Sequence, residues 1–213
     1  MMKIEHFTCN MLQENCYVVS DETKQCVIID CGAYYEAELS AIIDYIKTAE
    51  LTPVHLLVTH GHFDHNFGNA AISQAFGLSP EISRHDKQLL DHCDEQAKTF
   101  GVDFEQPCIP AGRLLENGEK ITFGNHVLQV IETPGHSQGS VVYYCEDEKT
   151  AFTGDTLFRG SIGRTDFVGG SMLQIIQSLR MLAQLPDDTV VMPGHGSQTT
   201  IGYELAHNPY MDR

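Results

Sequence analysis

The stretch Thr59–His65, THGHFDH, sets three histidines and an aspartate within the six consecutive positions from His60 to His65. An apolar core has no use for such a run, whereas imidazole and carboxylate are the ligands that a borderline cation such as zinc takes. The spacing differs from a helical H-E-x-x-H site, in which two histidines four residues apart share one face. Ligands this close belong on a turn, which can aim neighbouring side chains at two centres. Just upstream, Val54–Val58 is a short apolar run that reads as a buried strand. The cluster therefore stands at the end of a strand, on a rigid stem.

The same arrangement recurs downstream. Glu132–Ser137 (ETPGHS) follows an apolar run and offers His136, Phe152–Asp155 (FTGD) offers Asp155, and Val191–Gly196 (VMPGHG) offers His195. Each time an acidic or imidazole side chain stands next to glycine, which allows a tight turn and close backbone approach. Any one of these motifs alone reads as an ordinary turn; together they give a candidate ligand set of His60, His62, Asp64, His65, His136, Asp155 and His195. Seven ligands exceed the needs of one four-coordinate zinc. They suit two cations, roughly 3.5–4 Å apart, sharing a carboxylate and a water. A water so held would lose its proton near neutral pH and serve as nucleophile, while the cations polarise a carbonyl or phosphoryl oxygen. No serine or cysteine nucleophile is required, and Ser137 and Ser140, although close to the motif, have no assigned base. His85 and His92 fall outside the motifs and read as solvent-facing.

Around these turns the chain alternates short strands with helices. Strands are expected at Met1–Thr8, with Ile4 and Phe7 inward, at Glu14–Ser20 and at Cys26–Asp30. Asp30 is either a turn residue or a carboxylate that orients a ligand histidine from behind. Tyr35–Ala49 carries Leu39, Ile42, Ile43 and Ile46 at helical period. Further helices are expected over Asn66–Phe76, from His85 to about Phe100 with Ser83 as cap, over Met172–Leu185 capped by Ser171, and from Ile201 to Ala206. A short strand near Ile82 precedes a long loop, Gly101–Gly118, and strands follow at Lys120–Phe123, His126–Glu132, Ser140–Cys145, Thr150–Thr153 and Thr189–Met192. Of the adjacent Tyr143 and Tyr144, at most one should face the core. Two groups of strands, each followed by helices and with no linker between them, suggest two packed sheets with helices outside, in one domain spanning residues 1–213.

Composition narrows the classes of function. Thirteen Lys and Arg stand against 29 Asp and Glu, a formal charge of −16. That balance disfavours nonspecific binding to nucleic acid or an anionic membrane. The seven cysteines are odd in number and form no CxxC pair, which argues against a disulfide framework or a four-cysteine zinc site. Free thiols suit a reducing, cytoplasmic setting. Cys16, Cys26 and Cys145 lie in strand-like runs and read as core; Cys31, at a strand end, reads either as core or as approaching the site. The first residues, MMKIEHFTCNML, lack the apolar stretch of a secretory signal, and no segment reaches the length of a membrane span.

THGHFDH matches the HxHxDH signature of the metallo-beta-lactamase superfamily, which this sequence resembles along essentially its whole length, with His136, Asp155 and His195 in the order of the remaining ligands. The resemblance implies a four-layer αββα sandwich of α/β (α+β) class. It implies one cation on His60, His62 and His136, a second on Asp64, His65 and His195, and Asp155 between them. It gives Asp64 a second, catalytic role, steadying or relaying the proton of the nucleophilic water. Gly154–Phe167 (GDTLFRGSIGRTDF) and Pro193–Tyr210 (PGHGSQTTIGYELAHNPY) look like the glyoxalase II branch, whose members cleave hydroxyacylglutathione thioesters. The two-domain members of that branch add a C-terminal helical domain that holds glutathione; this sequence ends just beyond Tyr210, and His195 sits in a Gly-His-Gly context like that of the small single-domain relatives.

The expected protein is thus a metal-dependent, glyoxalase II-like hydrolase of a small-molecule thioester, with two divalent ions as cofactors, Zn2+ first and Fe or Mn as alternatives. A persulfide dioxygenase with a single iron is the main alternative. A lactonase, beta-lactamase, phosphodiesterase or other ester or amide hydrolase, and a non-catalytic metal-binding domain, rank below it. Arg159 has no assigned role, and Arg164 either braces its loop through a buried carboxylate or meets a substrate carboxylate. Phe63 and Phe158 read as packing walls.

Overall fold

The computed structural model describes residues 1–212. Alternating apolar residues are buried on both sides of the strands, and this dictates the layering. Strands β1 (Lys3–Cys9), β2 (Glu14–Ser20) and β3 (Gln25–Ile29) form an antiparallel meander. Helix α1 (Glu36–Thr48) then carries the chain to β4 (Thr52–Leu57), which runs parallel to β3. The histidine-rich turn follows, with a 3-10 segment at Phe63–His65, and leads into helix α2 (Asn69–Phe76). Gly77, at φ 73°, stops that helix in the left-handed conformation that glycine adopts without cost. Strand β5 (Pro80–Ser83), helices α3 (Lys87–Asp91) and α4 (Cys93–Thr99), and strand β6 (Arg113–Leu115) complete the first half. The sheet runs β1-β2-β3-β4-β5-β6, with β3 to β6 parallel.

The second half contains β7 (Lys120–Phe123), β8 (His126–Glu132), β9 (Val141–Cys145) and β10 (Thr150–Gly154), then the small hairpin β11 (Leu157–Phe158) and β12 (Ser161–Ile162). Helix α5 (Met172–Leu182), strands β13 (Val190–Pro193) and β14 (Thr199–Thr200), and helix α6 (Ile201–His207) finish it. Its sheet runs β14-β13-β10-β9-β8-β7.

Side chains of a strand point alternately to opposite faces. On β2, Tyr17 and Val19 join the core between the sheets, while Cys16 and Val18 pack under Leu39, Ile42 and Ile46 of α1 and Ile72 of α2. On β9, Val141, Tyr143 and Cys145 face the first sheet, while Val142 and Tyr144 face Leu179 and Leu182 of α5 and Ile201 of α6. The result is the expected αββα sandwich. Of the two tyrosines only Tyr143 faces the core between the sheets, as expected, and Tyr144 is buried as well because this sheet is covered on both faces. Ile4 and Phe7 likewise turn inward to different layers. The cysteines at 16, 26 and 145 are core residues, and so is Cys31, buried beside Cys9 and Cys16.

Three local expectations are corrected. The long helix from His85 to Phe100 breaks at His92, whose φ −121° and ψ 25° are not helical; the Leu89 carbonyl there accepts from the His92 amide at 3.3 Å and from the Gln96 side chain at 2.6 Å. The loop Gly101–Gly118 contains β6, formed only because β5 offers it a parallel edge, a long-range pairing with no local signature. The helices expected from Asn66 and up to Leu185 are shorter at those ends, beginning at Asn69 and stopping at Leu182.

Candidate metal centre

All four motifs arrive at one edge of the sandwich, where β4, β8, β10 and β13 end. Close packing of backbone fixes their approach. A Cβ on Gly194 would lie 2.4 Å from Asp155 Oδ1, and Gly154, at φ 46°, would bring one to 2.4 Å from Thr59 Oγ1. Side chains at either position would push the turns apart.

The seven sequence-predicted residues converge. His62 Nδ1 lies 2.8 Å from His136 Nε2. His65 Nε2 is 3.3 Å from Asp155 Oδ1, and His136 Nε2 is 3.5 Å from Asp155 Oδ2. His195 Nε2 is 3.3 Å from Asp64 Oδ2 and 3.7 Å from Asp155 Oδ2. Three triplets bring their donor atoms within 4.8 Å of one another: His60, His62 and His136; Asp64, His65 and His195; and His60, His65 and Asp155.

The scaffold decides which imidazole atom faces inward. Asp30, held at φ 51° at the end of β3, accepts from the Thr59 amide at 2.7 Å through Oδ1. Its Oδ2 accepts from Thr59 Oγ1 at 2.6 Å and meets His65 Nδ1 at 3.0 Å. Because the Thr59 hydroxyl proton is spent on Asp30, Thr59 Oγ1 is left to accept from His60 Nδ1, at 3.0 Å. His136 Nδ1 donates to the Arg164 carbonyl at 2.8 Å and His195 Nδ1 to the Leu12 carbonyl at 3.1 Å. Four rings thus use Nδ1 for the scaffold and turn Nε2 into the cluster, while His62 turns Nδ1 inward. Of the two readings of Asp30, the structure carries the orienting carboxylate. Asn66 adds a further brace, its Nδ2 donating to the carbonyls of His60 at 3.2 Å and His62 at 2.7 Å.

Three of the inward atoms make no hydrogen bond. His60 Nε2, His65 Nε2 and Asp155 Oδ1 are buried without a hydrogen bond, an arrangement that costs free energy unless something fills it. A divalent cation is the group this donor set fits: imidazole lone pairs and carboxylate oxygens aimed at one small volume. Electrostatics agree. Burial, with His65, His136 and His62 around it, holds His60 well below the usual imidazole range, and burial beside His136 brings His62 down to about 4. Both rings are neutral, as a ligand must be. Burial acts to neutralise His65 as well, but the carboxylates of Asp155, Asp64 and Asp30 outweigh it and hold the ring well above its ordinary value. For the same reason Asp155, despite burial, stays well below the carboxylate range beside His65.

Sequence reasoning missed Asp86. Its Oδ2 accepts from the Gly61 amide at 3.0 Å and from Ser137 Oγ at 2.6 Å, and its Oδ1 accepts from the Gly139 amide at 2.6 Å. One buried carboxylate therefore ties the His60–His65 turn to the His136 loop, and Ser137 is a brace rather than a nucleophile. Nothing local marks an aspartate between Ser83 and α3 for that task. His85 and His92 lie outside the cluster, as expected. Arg159 is also remote, its guanidinium over the Tyr203 ring at 4.6 Å. Arg164 pairs with the exposed Asp166 rather than with a buried carboxylate, through two bonds of 2.7 Å.

The cluster floors an open cleft of about 530 Å³, walled by Leu12, Phe63, Phe100, Phe158, Phe167 and Val168. A buried ligand set at the bottom of an apolar cleft is the arrangement of an enzyme site.

Fold and site together define a class. Residues 9–195 match the metallo-beta-lactamase superfamily, and the chain belongs to that superfamily of metal-dependent hydrolases. Within it, the chain is 36% identical to hydroxyacylglutathione hydrolase GloC of Haemophilus influenzae, over 99% of both proteins. Among solved structures it resembles BLEG-1 B3 metallo-beta-lactamase, at TM-score 0.89 and 35% identity over all of both chains. It also resembles TTHA1623 in a di-iron-bound form, at TM-score 0.87 and 37% identity, over 97% of this chain and 100% of the other.

Proposed function

We propose that this protein hydrolyses a small-molecule thioester at a pair of divalent cations. The observation that carries the reading is the convergence, at the floor of an open apolar cleft, of His60 Nε2, His65 Nε2 and Asp155 Oδ1, all buried and none making a hydrogen bond. His60, His62 and His136 would hold one cation; Asp64, His65 and His195 would hold the other; Asp155 would lie between them. When bound, such a pair acidifies a water and polarises a carbonyl oxygen. The chain's own part is to orient and to move protons. Asp30 and Thr59 lock the His65 and His60 tautomers. Asp64, kept ionised by His65 and His195 in spite of burial, accepts the water's proton at its carboxylate and passes it to the departing sulfur. The carbon–sulfur bond breaks, and acid and thiol leave through the apolar mouth. Identity to GloC along the full length supports this choice of electrophile, and the continuous core between the sheets supports reading the chain as one domain. Free thiols and the absence of a long apolar helix among the described residues suit a cytoplasmic enzyme acting on small molecules.

Thiol release from S-lactoylglutathione and simpler thioesters, measured on protein of known metal content, tests the proposal. Release that stops with a chelator and returns with zinc or manganese is the expected result. Protein holding two cations per chain that cleaves no thioester refutes it. A second reading, a persulfide dioxygenase, predicts one iron per chain and uptake of oxygen. The full set of seven converging residues favours the hydrolase. The likeness to BLEG-1 makes a beta-lactam the control substrate.

A further inference from the structure

The cleft above the cluster has an unusual balance of chemistry. Large apolar side chains stand in water around its mouth: Leu12 is 47% exposed, Phe100 52% and Val168 93%. An aromatic path leads from the cluster outwards. The His62 ring contacts Phe167 at 5.6 Å between centroids, Phe167 contacts Phe100 at 5.7 Å, and Phe100 contacts Phe63 at 5.2 Å. The donor groups of Gln96 and Thr99 on that wall are already committed. Gln96 Nε2 donates to the carbonyls of Gly61 at 3.2 Å and Leu89 at 2.6 Å, and Thr99 Oγ1 donates to the Gln96 carbonyl at 2.7 Å.

Cations are scarce. Among the residues lining the cleft, Arg164 is the one Lys or Arg. Its guanidinium is held in a two-pronged bond by Asp166 and lies 3.9 Å from the centre of the Phe167 ring. It finishes the apolar wall rather than waiting for an anion. A tripeptide with two carboxylates, or a carrier with several phosphates, finds no uncommitted cation here and meets the field of a chain with formal charge −16.

Resting on the thioester reading, we propose that the substrate carries an extended apolar group, aliphatic or aromatic, that lies along Phe167, Phe100 and Val168. Its carrier is neutral or singly charged. The acyl carbonyl is at the His/Asp floor, and the apolar group is what removes the exposed rim from water. Phe100, Phe167 and Val168 thereby set specificity by area rather than by charge.

The test is a chain-length series on one neutral carrier. S-acyl-N-acetylcysteamine esters from acetyl to octanoyl are compared for kcat/KM with S-lactoylglutathione and acyl-coenzyme A esters. In parallel, S-alkyl thioethers of the same carrier, which cannot be hydrolysed, are titrated calorimetrically into metal-loaded and metal-free protein. Burial of a methylene contributes about 0.8 kcal/mol, so kcat/KM and affinity should each rise about two- to fourfold per methylene, the lower figure for a half-open wall. Val168→Ser and Phe100→Ser, both at exposed positions, should flatten that slope. A flat series, or a slope that neither variant changes, overturns the inference. So does faster turnover of S-lactoylglutathione than of the best neutral ester. Failure of the thioester reading looks different: no thiol is released from any ester, while the thioether slope and its loss in the variants persist and uphold the apolar specificity of the cleft.

Discussion

Replacing Asp86 with alanine removes a side chain that bonds both to the His60–His65 turn and to the His136 loop. Three donors lose their acceptor: the amides of Gly61 and Gly139 and the hydroxyl of Ser137. Ser137 keeps a partner in Ser140 Oγ, 2.7 Å away, so two buried backbone N–H groups remain orphaned. Each costs about 1–3 kcal/mol. Part of this is offset, because burial pushes the Asp86 carboxyl above its ordinary range even with three donors around it, and the variant no longer buries that group. A net loss of about 2–4 kcal/mol follows. With a slope of about 1–3 kcal/mol per molar urea, the unfolding midpoint should fall by about 1–2 M without a change in slope. Asp86→Asn retains one carbonyl oxygen and should lose about half as much. Because the two turns it joins carry His62 and His136, kcat/KM should also fall about 10- to 100-fold, the range for residues that orient ligands. A midpoint within about 0.3 M of the parent, with normal kcat/KM, would refute the assignment of Asp86 as the tie between the turns.

Other expectations follow from the same geometry. Asp155→Ala should release both cations and lower kcat/KM by more than the roughly hundredfold typical of a merely orienting residue, while His85→Ala changes neither; elemental analysis with steady-state kinetics checks this, and two retained cations at full rate would contradict it. Asp30→Asn places an amide N–H₂ against Thr59 or His65 and should weaken metal binding about 10- to 100-fold, read by competition with a coloured chelator; unchanged affinity would show that Asp30 does not orient the rings. Three carboxylates hold His65 above its ordinary imidazole range in the metal-free protein, so loading zinc at pH 7 should release protons, visible as calorimetric heats that vary with the buffer. A buffer-independent heat would count against His65 as a ligand. The sign also fixes the stability of the metal-free protein: a raised imidazole pKa contributes in full below about 6.5, the unfolded value, and its contribution is lost as the pH climbs through the raised one.

What was readable in the sequence and what was not divides by the range of the forces involved. The ligand turns were legible because each is local: an apolar strand, a glycine and a donor side chain occupy a few consecutive residues, as in Val191–Gly196. The two-layered sheets were legible because β-branched runs recur at strand length. The burial of Tyr144 was not legible because alternation tells which residues share a face, not how many faces are covered; α5 and α6 decide that, and they lie far along the chain. The break at His92 has no local signature, and β6 depends on an edge that β5 supplies. Asp86 is the sharpest case. Its value lies in meeting Gly61 of its own half on one side and Ser137 and Gly139 on the other, two residues that become its neighbours only when the two halves of the chain close on each other. The apolar mouth is built in the same way, from Leu12, Phe100, Phe158 and Val168, each ordinary in its own segment. The chemistry of the site was therefore written locally in the metal-ligand motifs, whereas its selectivity is a property of loops that touch only in the fold. Substitutions at the motifs should accordingly abolish turnover of every substrate alike, while substitutions at the rim should change which substrate is preferred.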